Sequence, residues 1–235
     1  MGKISAIEWT DATWNPWYGC TKVSEGCRNC YAERDMKRFG KDFNTITRSK
    51  TTFRDPLKWK EPRMIFVCSW GDFFHEDVSK EWRQDAWEII RQAQQHKFLI
   101  LTKRPQNIRS MLPAFWRNEN WPYPHVWLGV SAENQARADE RIPLLIKIPA
   151  TIHFVSAEPL LEPINFYLYG IDWIITGGES GPNYRPCDIH WIRSIRYQCQ
   201  EAGVAFFHKQ HGGNNKIDGA WGGRKLDGRT WDEIP

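Results

Sequence analysis

The chain has 235 residues, a formal net charge of +4 and 41% hydrophobic residues. This length allows one domain to bury a large core without disulfides, and six cysteines are too few for a disulfide-rich secreted scaffold. No apolar run approaches the roughly 18 residues of a membrane span, and the first residues lack a signal-peptide core. We therefore expect a cytoplasmic protein with no membrane partner, and the mildly basic charge permits a nucleic-acid partner without requiring one.

Three cysteines lie close together near the start of the chain, in C-x6-C-x2-C spacing: Cys20, Cys27 and Cys30. Three thiolates can hold three corners of an iron–sulfur cluster and leave one metal position open for a ligand. A structural zinc ion normally takes four ligands, so it would need a distant fourth one such as His75, His208 or Cys68. The spacing favours the three-thiolate cluster, and structural zinc or three unrelated cysteines remain alternatives.

Six short apolar segments, each followed by a polar cluster, predict parallel strands that are buried on both faces. They span residues 64–68, 98–101, 126–130, 153–155, 173–176 and 204–207. Between them, Ser79 is placed to cap one helix and Asp188 to cap another that ends at Gly203. This alternation predicts an α/β fold, specifically a (β/α) barrel or partial barrel with mostly parallel strands.

The polar clusters follow the carboxyl ends of the predicted strands, where barrel enzymes gather their functional groups. Ordinary turn chemistry also explains any single cluster, but six successive clusters favour a site. We predict one domain over residues 1–211, followed by a Gly-rich tail over residues 212–235. The tail is interpreted as disordered or as a flexible arm with an anchor at Trp231.

Nine motifs resemble a phage-associated three-cysteine protein family that is similar to an outlying branch of the radical S-adenosylmethionine (SAM) enzymes. They are EWTDATWNP (8–16), GCTKVS (19–24), CRNCYAE (27–33), FHEDV (74–78), LTKRP (101–105), LGVS (128–131), EPLL (158–161), GGESGP (177–182) and DGRTW (227–231). The resemblance runs nearly from end to end and implies a barrel of the radical SAM type. Radical SAM enzymes usually have C-x3-C-x2-C spacing, and this chain has three more residues between the first two cysteines.

The resemblance also implies cofactors and residue roles. It implies a [4Fe–4S] cluster on the three cysteines, SAM at the open iron, and an electron donor such as flavodoxin or ferredoxin. The implied SAM-binding residues are Tyr31 beside adenine, Ser69 and Asp72 for the ammonium group, Lys103 for the carboxylate, and Ser131, Glu133 or Asn134 for the ribose. Glu158, Glu179 and Lys209 follow these in sequence and are the predicted catalytic residues on the substrate side; for Glu179 an ion pair with Arg185 is the alternative.

The implied function is an isomerase or lyase that transforms a nucleic-acid base or a modified nucleotide by radical chemistry. The leading hypothesis is thymidine hypermodification in phage DNA, carried out by a phage-encoded protein in the host cytoplasm. One alternative is an enzyme that resembles DNA photoproduct repair lyases. The other is a non-catalytic zinc or iron–sulfur module that binds nucleic acid.

Overall fold

The protein, seen here in a computed structural model, is described over residues 5–119 and 122–235. The strands of this part are β1 Ala12–Trp14, β2 Trp17–Tyr18, β3 Thr47–Arg48, β4 Met64–Val67, β5 Lys97–Thr102, β6 Val126–Ser131, β7 His153–Ala157, β8 Trp173–Gly177, β9 Ala205–Gln210, β10 Lys216–Ile217 and β11 Ala220–Trp221. Seven of them form a parallel sheet curled into a half-barrel, in the order β1-β4-β5-β6-β7-β8-β9. Two short antiparallel pairs, β2 with β3 and β10 with β11, lie outside this sheet.

Helices connect most of these strands and cover one face of the sheet. They are α1 Tyr31–Arg38, α2 Lys80–Gln92, α3 Pro105–Met111, α4 Ala114–Glu119, α5 Gln135–Leu145 and α6 Ile189–Ala202, with short 3-10 helices at Glu25–Cys27 and Asp55–Lys58. The predicted caps are confirmed, because the Ser79 side chain accepts from Trp82 N and the Asp188 side chain accepts from His190 N. Gly203 ends α6 in the left-handed region, with φ 66°. No helix among residues 5–119 and 122–235 is long and apolar enough to cross a membrane.

The six strands predicted from sequence correspond to β4 through β9, and the α/β half-barrel is compatible with the predicted (β/α) barrel. Strand β1, the edge strand that pairs with β4, is not among the predicted strands. Its three residues, with Ala12 and Trp14 buried, are flanked by polar residues and make too short an apolar pattern to be recognised.

The two faces of the sheet belong to two separate apolar clusters. Alternate strand residues pack with the helices, and the opposite, concave face carries large aromatic rings. Trp173 lies at the centre of this face, with its ring centroid 6.1 Å from those of Trp9, Trp127 and Phe207. Gly129 in β6 is needed here, because a Cβ at this position would lie 2.5 Å from the Phe154 ring. Three of the 14 tryptophans, Trp9, Trp127 and Trp173, therefore fill the concave face of the half-barrel.

The C-terminal tail is ordered against the sheet edge. His208 N donates to Trp231 O over 2.9 Å, and Phe207 forms an isolated antiparallel bridge with Asp232. Trp231 is buried, and its ring centroid lies 6.0 Å from that of Phe206. Trp231 is thus the anchor that the sequence suggested, and the tail covers strand β9, the last strand of the half-barrel.

Candidate functional site

A cavity opens at the carboxyl ends of the parallel strands, where the predicted site residues converge. Its floor is apolar and includes Ile7, Trp9, Phe66 and Leu101. Its polar walls include Tyr31, Ser69, Asp72, Lys103, Arg104, Ser131, Ser156, Glu158, Glu179 and Lys209. Parallel strands bring residues distant in sequence to one edge of the sheet, so the topology explains this convergence.

All three N-terminal cysteines line this cavity. Cys20 follows Gly19, which bridges to Gly71 beyond β4; Cys27 ends a 3-10 helix, and Cys30 directly precedes α1. The three thiols are free and half-buried. Within residues 5–119 and 122–235, no three side chains of His, Cys, Asp or Glu are grouped closely enough to hold a metal ion. The cysteines share a cavity wall without forming a preassembled metal site.

Burial of the thiols favours their protonated form. It raises the pKa of Cys20 to about 12, with a further increase from Asp72 and a decrease from the Arg104 guanidinium. Burial also raises the pKa of Cys30, and the charge of the Lys103 ammonium offsets part of this increase. A metal binds thiolates, so any metal loading here must release protons.

Glu133 holds the middle of residues 20–30, which carry the three cysteines and which we call the cysteine segment. Its buried carboxylate accepts from Gly26 N over 3.3 Å and pairs with Arg141 Nη1 over 2.9 Å. Burial tends to raise the pKa of Glu133, but the charges of Lys103 and Arg141 hold it below its usual value. A Cβ at Gly26 would lie 2.9 Å from Glu133 Cδ, so this approach requires glycine.

Glu179 holds the end of the cysteine segment. Its Oε2 accepts from Asn29 Nδ2 over 2.9 Å, from Arg185 N over 2.8 Å and from Arg185 Nε over 2.9 Å, and its Oε1 pairs with Arg185 Nη2. Arg185 Nη1 in turn donates to Glu25 O over 2.9 Å. The ion pair considered as the alternative role of Glu179 is therefore present, and a catalytic role for this residue stays a prediction.

Arg104 holds the start of the same segment and was not singled out from the sequence. Its guanidinium is buried, donates to Thr21 Oγ1 over 2.6 Å and to Thr21 O over 3.1 Å, and pairs with Glu76 over 2.7 Å. Arg104 Nη1 lies 3.8 Å from Cys20 Sγ, close enough to donate to a thiolate there. The signals in the sequence were its place in the polar cluster after a predicted strand and in the LTKRP motif.

The predicted ammonium-binding residues already have partners within the protein. Asp72 accepts from Thr102 Oγ1 over 2.7 Å and from the backbone N–H of Phe74 over 2.9 Å. Tyr31 Oη donates to Ser69 O over 2.8 Å, and burial raises the pKa of this phenol. The Tyr31 ring, Ser69 and Asp72 nevertheless line the cavity, as their predicted roles require.

Lys103 presents a positive charge to the cavity. Its Nζ donates to Ser131 Oγ over 3.2 Å, and within the described part of the chain it has no carboxylate within salt-bridge distance. Asn134 instead caps α5, where its side-chain oxygen accepts from Arg137 N over 2.9 Å. The ribose contacts predicted for Glu133 and Asn134 stay predictions, and both side chains already serve the fold.

The remaining predicted catalytic residues are neighbours. Lys209 Nζ pairs with Glu158 Oε1 over 2.5 Å, and Gln210 Nε2 lies 3.4 Å from the same oxygen. This pair joins the ends of β7 and β9 across the cavity wall. Of the distant zinc ligands considered, Cys68 lines the cavity, whereas His75 bonds to Thr21 Oγ1 and His208 to Thr176 Oγ1.

Comparison with known proteins gives one family. No curated protein and no solved structure shows a significant match to the chain. The family described as "Protein of unknown function (DUF5131)" matches residues 4–235. Because this match covers nearly the whole sequence, the chain belongs to the DUF5131 family.

Proposed function

We propose that this protein is a radical SAM enzyme that transforms a nucleic-acid base or a modified nucleotide. The observation that carries the proposal is that Cys20, Cys27 and Cys30 all line the cavity at the carboxyl ends of the parallel strands. Barrel enzymes gather their functional groups at this edge of the sheet, so the position of the three thiols supports the proposal. The resemblance to radical SAM enzymes adds the chemistry.

The three thiolates would hold a [4Fe–4S] cluster, and Arg104 beside Cys20 would balance part of its negative charge. The cluster and SAM, when both are bound, supply a carbon radical that abstracts hydrogen from an unactivated carbon. The side chains of the protein bind and orient SAM and the substrate. Lys103 attracts a carboxylate, and the Ser131 hydroxyl beside it offers a further hydrogen bond to a polar ligand.

The two sides of the cavity suit a ligand with both apolar and charged parts. Trp9, Phe66 and Leu101 give a floor that excludes water, and the Tyr31 ring offers a face for adenine. Asp72 remains the proposed partner of the ammonium group of SAM. The Glu158–Lys209 pair would orient the substrate, since it offers both a hydrogen-bond acceptor and a donor at the far wall.

We take phage DNA as the substrate hypothesis, with an isomerisation of a modified thymidine as the reaction. A flavodoxin or ferredoxin would supply the electron. This part of the proposal depends on the resemblance and on the mildly basic charge of the chain. This substrate hypothesis has one physical requirement: the target base must leave the stacked duplex to reach a recessed cavity.

Anaerobic reconstitution with iron and sulfide tests the proposal. We expect about four irons and four sulfides per chain, as in a [4Fe–4S] cluster, and reductive cleavage of SAM by the reduced protein. Replacing Cys20, Cys27 or Cys30 singly by Ala should abolish the cluster. Cys187→Ala is the matched control, because this half-buried thiol packs against the helix-side core.

Two outcomes would contradict the proposal. One colourless zinc ion per chain, lost in the same three variants, would indicate the non-catalytic zinc module. A cluster that survives Cys27→Ala but is lost in Cys187→Ala would show that the ligands are assigned wrongly.

A further inference from the structure

A partly exposed group of aromatic rings and basic side chains lies beside the cavity. We call it the aromatic–basic surface: Tyr18, Lys37, Arg38, Phe39, Lys41 and Trp70. Phe39 is 63% exposed, and its ring centroid lies 5.8 Å from that of Trp70 with 34° between the planes. Lys41 Nζ lies 3.8 Å from the centroid of the Tyr18 ring and 5.9 Å from that of Trp70.

Helix α1 produces this surface by the way it packs. It buries Ala32 and Met36 against Phe43, so Lys37 and Arg38 in its last turn face the solvent. Phe39 follows as the C-terminal cap residue, and its ring is outside that small core. The Phe39 ring therefore contributes little to the core, and one of its faces is available to a partner.

The surface is continuous with the cavity wall. Trp70 stands between Ser69 and Gly71, which both line the cavity, and it packs on the same small core as Cys30 and Tyr31. Tyr31 begins α1, and Phe39 directly follows the helix, about 12 Å away along its axis.

The charges of this surface are available to a partner. Two of the neighbouring acids are ion-paired, since Glu33 lies 2.8 Å from Lys22 Nζ and Asp35 lies 3.9 Å from Arg34 Nε, and Asp42 accepts from Thr45 Oγ1 over 2.5 Å. Among the described residues, Lys37, Arg38 and Lys41 form no salt bridge with a carboxylate. Three cations beside stacked rings favour a polyanion that also offers flat faces.

We propose that the aromatic–basic surface binds single-stranded nucleic acid, with bases stacked on Phe39 and Trp70 and phosphates near Lys37, Arg38 and Lys41. A single strand fits better than a duplex, because base faces are free to stack only when they are unpaired. This inference deepens the proposed function by naming the form of the substrate. Binding of the strand itself requires neither a cluster nor SAM, so the two proposals can fail separately.

Fluorescence anisotropy with a fluorescein-labelled oligothymidylate and the metal-free protein tests the inference. Phe39→Ala should weaken binding about tenfold, since one base–aromatic stack is lost. Lys37→Glu combined with Arg38→Glu should weaken binding further at low salt. It should also reduce the slope of log affinity against log salt by about 1.4, the value for two phosphate contacts on a single strand.

Matched controls lie far from the surface in sequence. Tyr167→Ala removes another exposed ring, 68% exposed, and Lys147→Glu reverses another exposed charge. Both should leave binding unchanged. Thermal unfolding of each variant should match the parent protein, because the replaced side chains are exposed.

Three results would overturn the inference. The first is equal binding by Phe39→Ala and the parent protein, and the second is binding of the duplex as tight as that of the single strand. The third is normal strand binding by the charge variants together with slower reduction by flavodoxin, which would make the surface a docking site for an acidic electron donor. If the protein binds the strand as described but holds no cluster, the enzyme proposal fails and this one stands.

Discussion

Glu179→Gln is the most informative single substitution, because the Glu179 carboxylate joins the cysteine segment to the loop beyond β8. The change keeps the shape of the side chain and removes its charge. Three donors of Arg185 and one of Asn29 converge on this carboxylate, and the side chains of Glu179 and Arg185 are 5% and 23% exposed. The variant therefore leaves a largely buried guanidinium without its counterion.

The expected cost follows from these exposures. Removing one partner of a fully buried pair costs about 3–5 kcal/mol, and solvent around Arg185 screens part of that, so we expect about 2–3 kcal/mol. Urea unfolding measures this loss directly. Because Asn29 lies between Cys27 and Cys30, the thiols should also react faster with a disulfide reagent in the native protein.

Glu140→Gln is the matched control, since it breaks an exposed pair with Arg137 in which Glu140 is 52% exposed. This change should lower the free energy of unfolding by less than about 1 kcal/mol and leave the reaction rate of the thiols unchanged. The reasoning is refuted if Glu179→Gln is no more costly than this control and its thiols react at the parent rate. In the reconstituted enzyme, loss of uncoupled SAM cleavage would indicate this positioning role. Normal cleavage with loss of product would indicate the substrate role predicted from sequence.

Three further predictions use other parts of the molecule. Burial holds the pKa of His208 at about 3 in the folded protein, whereas the same imidazole in the unfolded chain takes up a proton near pH 6.5. The free energy of unfolding should therefore fall by up to about 1.4 kcal/mol per pH unit below pH 6.5. Urea unfolding between pH 6 and pH 4 should show a shallower loss in His208→Asn, and an unchanged slope would disprove the assignment. Lys103→Met should weaken SAM binding about ten- to a hundredfold in calorimetric titration, because a charge-assisted hydrogen bond to the ligand is lost; equal affinity would exclude its ligand role. Trp231→Ala should lower the free energy of unfolding by about 3–5 kcal/mol and expose the tail to limited proteolysis, whereas Tyr167→Ala should do neither. A Trp231→Ala variant that resists the protease would mean that other contacts hold the tail.

The sequence by itself determined the class of fold and the place of the site. Continuous apolar runs between helix signals predicted six of the parallel strands, because a strand buried on both faces needs no polar alternation. The polar residues after those runs had to meet at one edge of the sheet, and Asp72, Lys103, Glu158 and Lys209 do line one cavity. These conclusions depend only on local patterns and on the shared direction of parallel strands.

Only the tertiary structure decided which of those side chains also hold the fold together. Glu133 and Glu179 looked alike in sequence to Glu158, since each follows a strand. Glu133 pairs with Arg141, and Glu179 with Arg185, and each also binds the cysteine segment more than 100 residues away in the chain. No local pattern records such a contact, because the partner of a buried charge is chosen by how the chain packs in three dimensions.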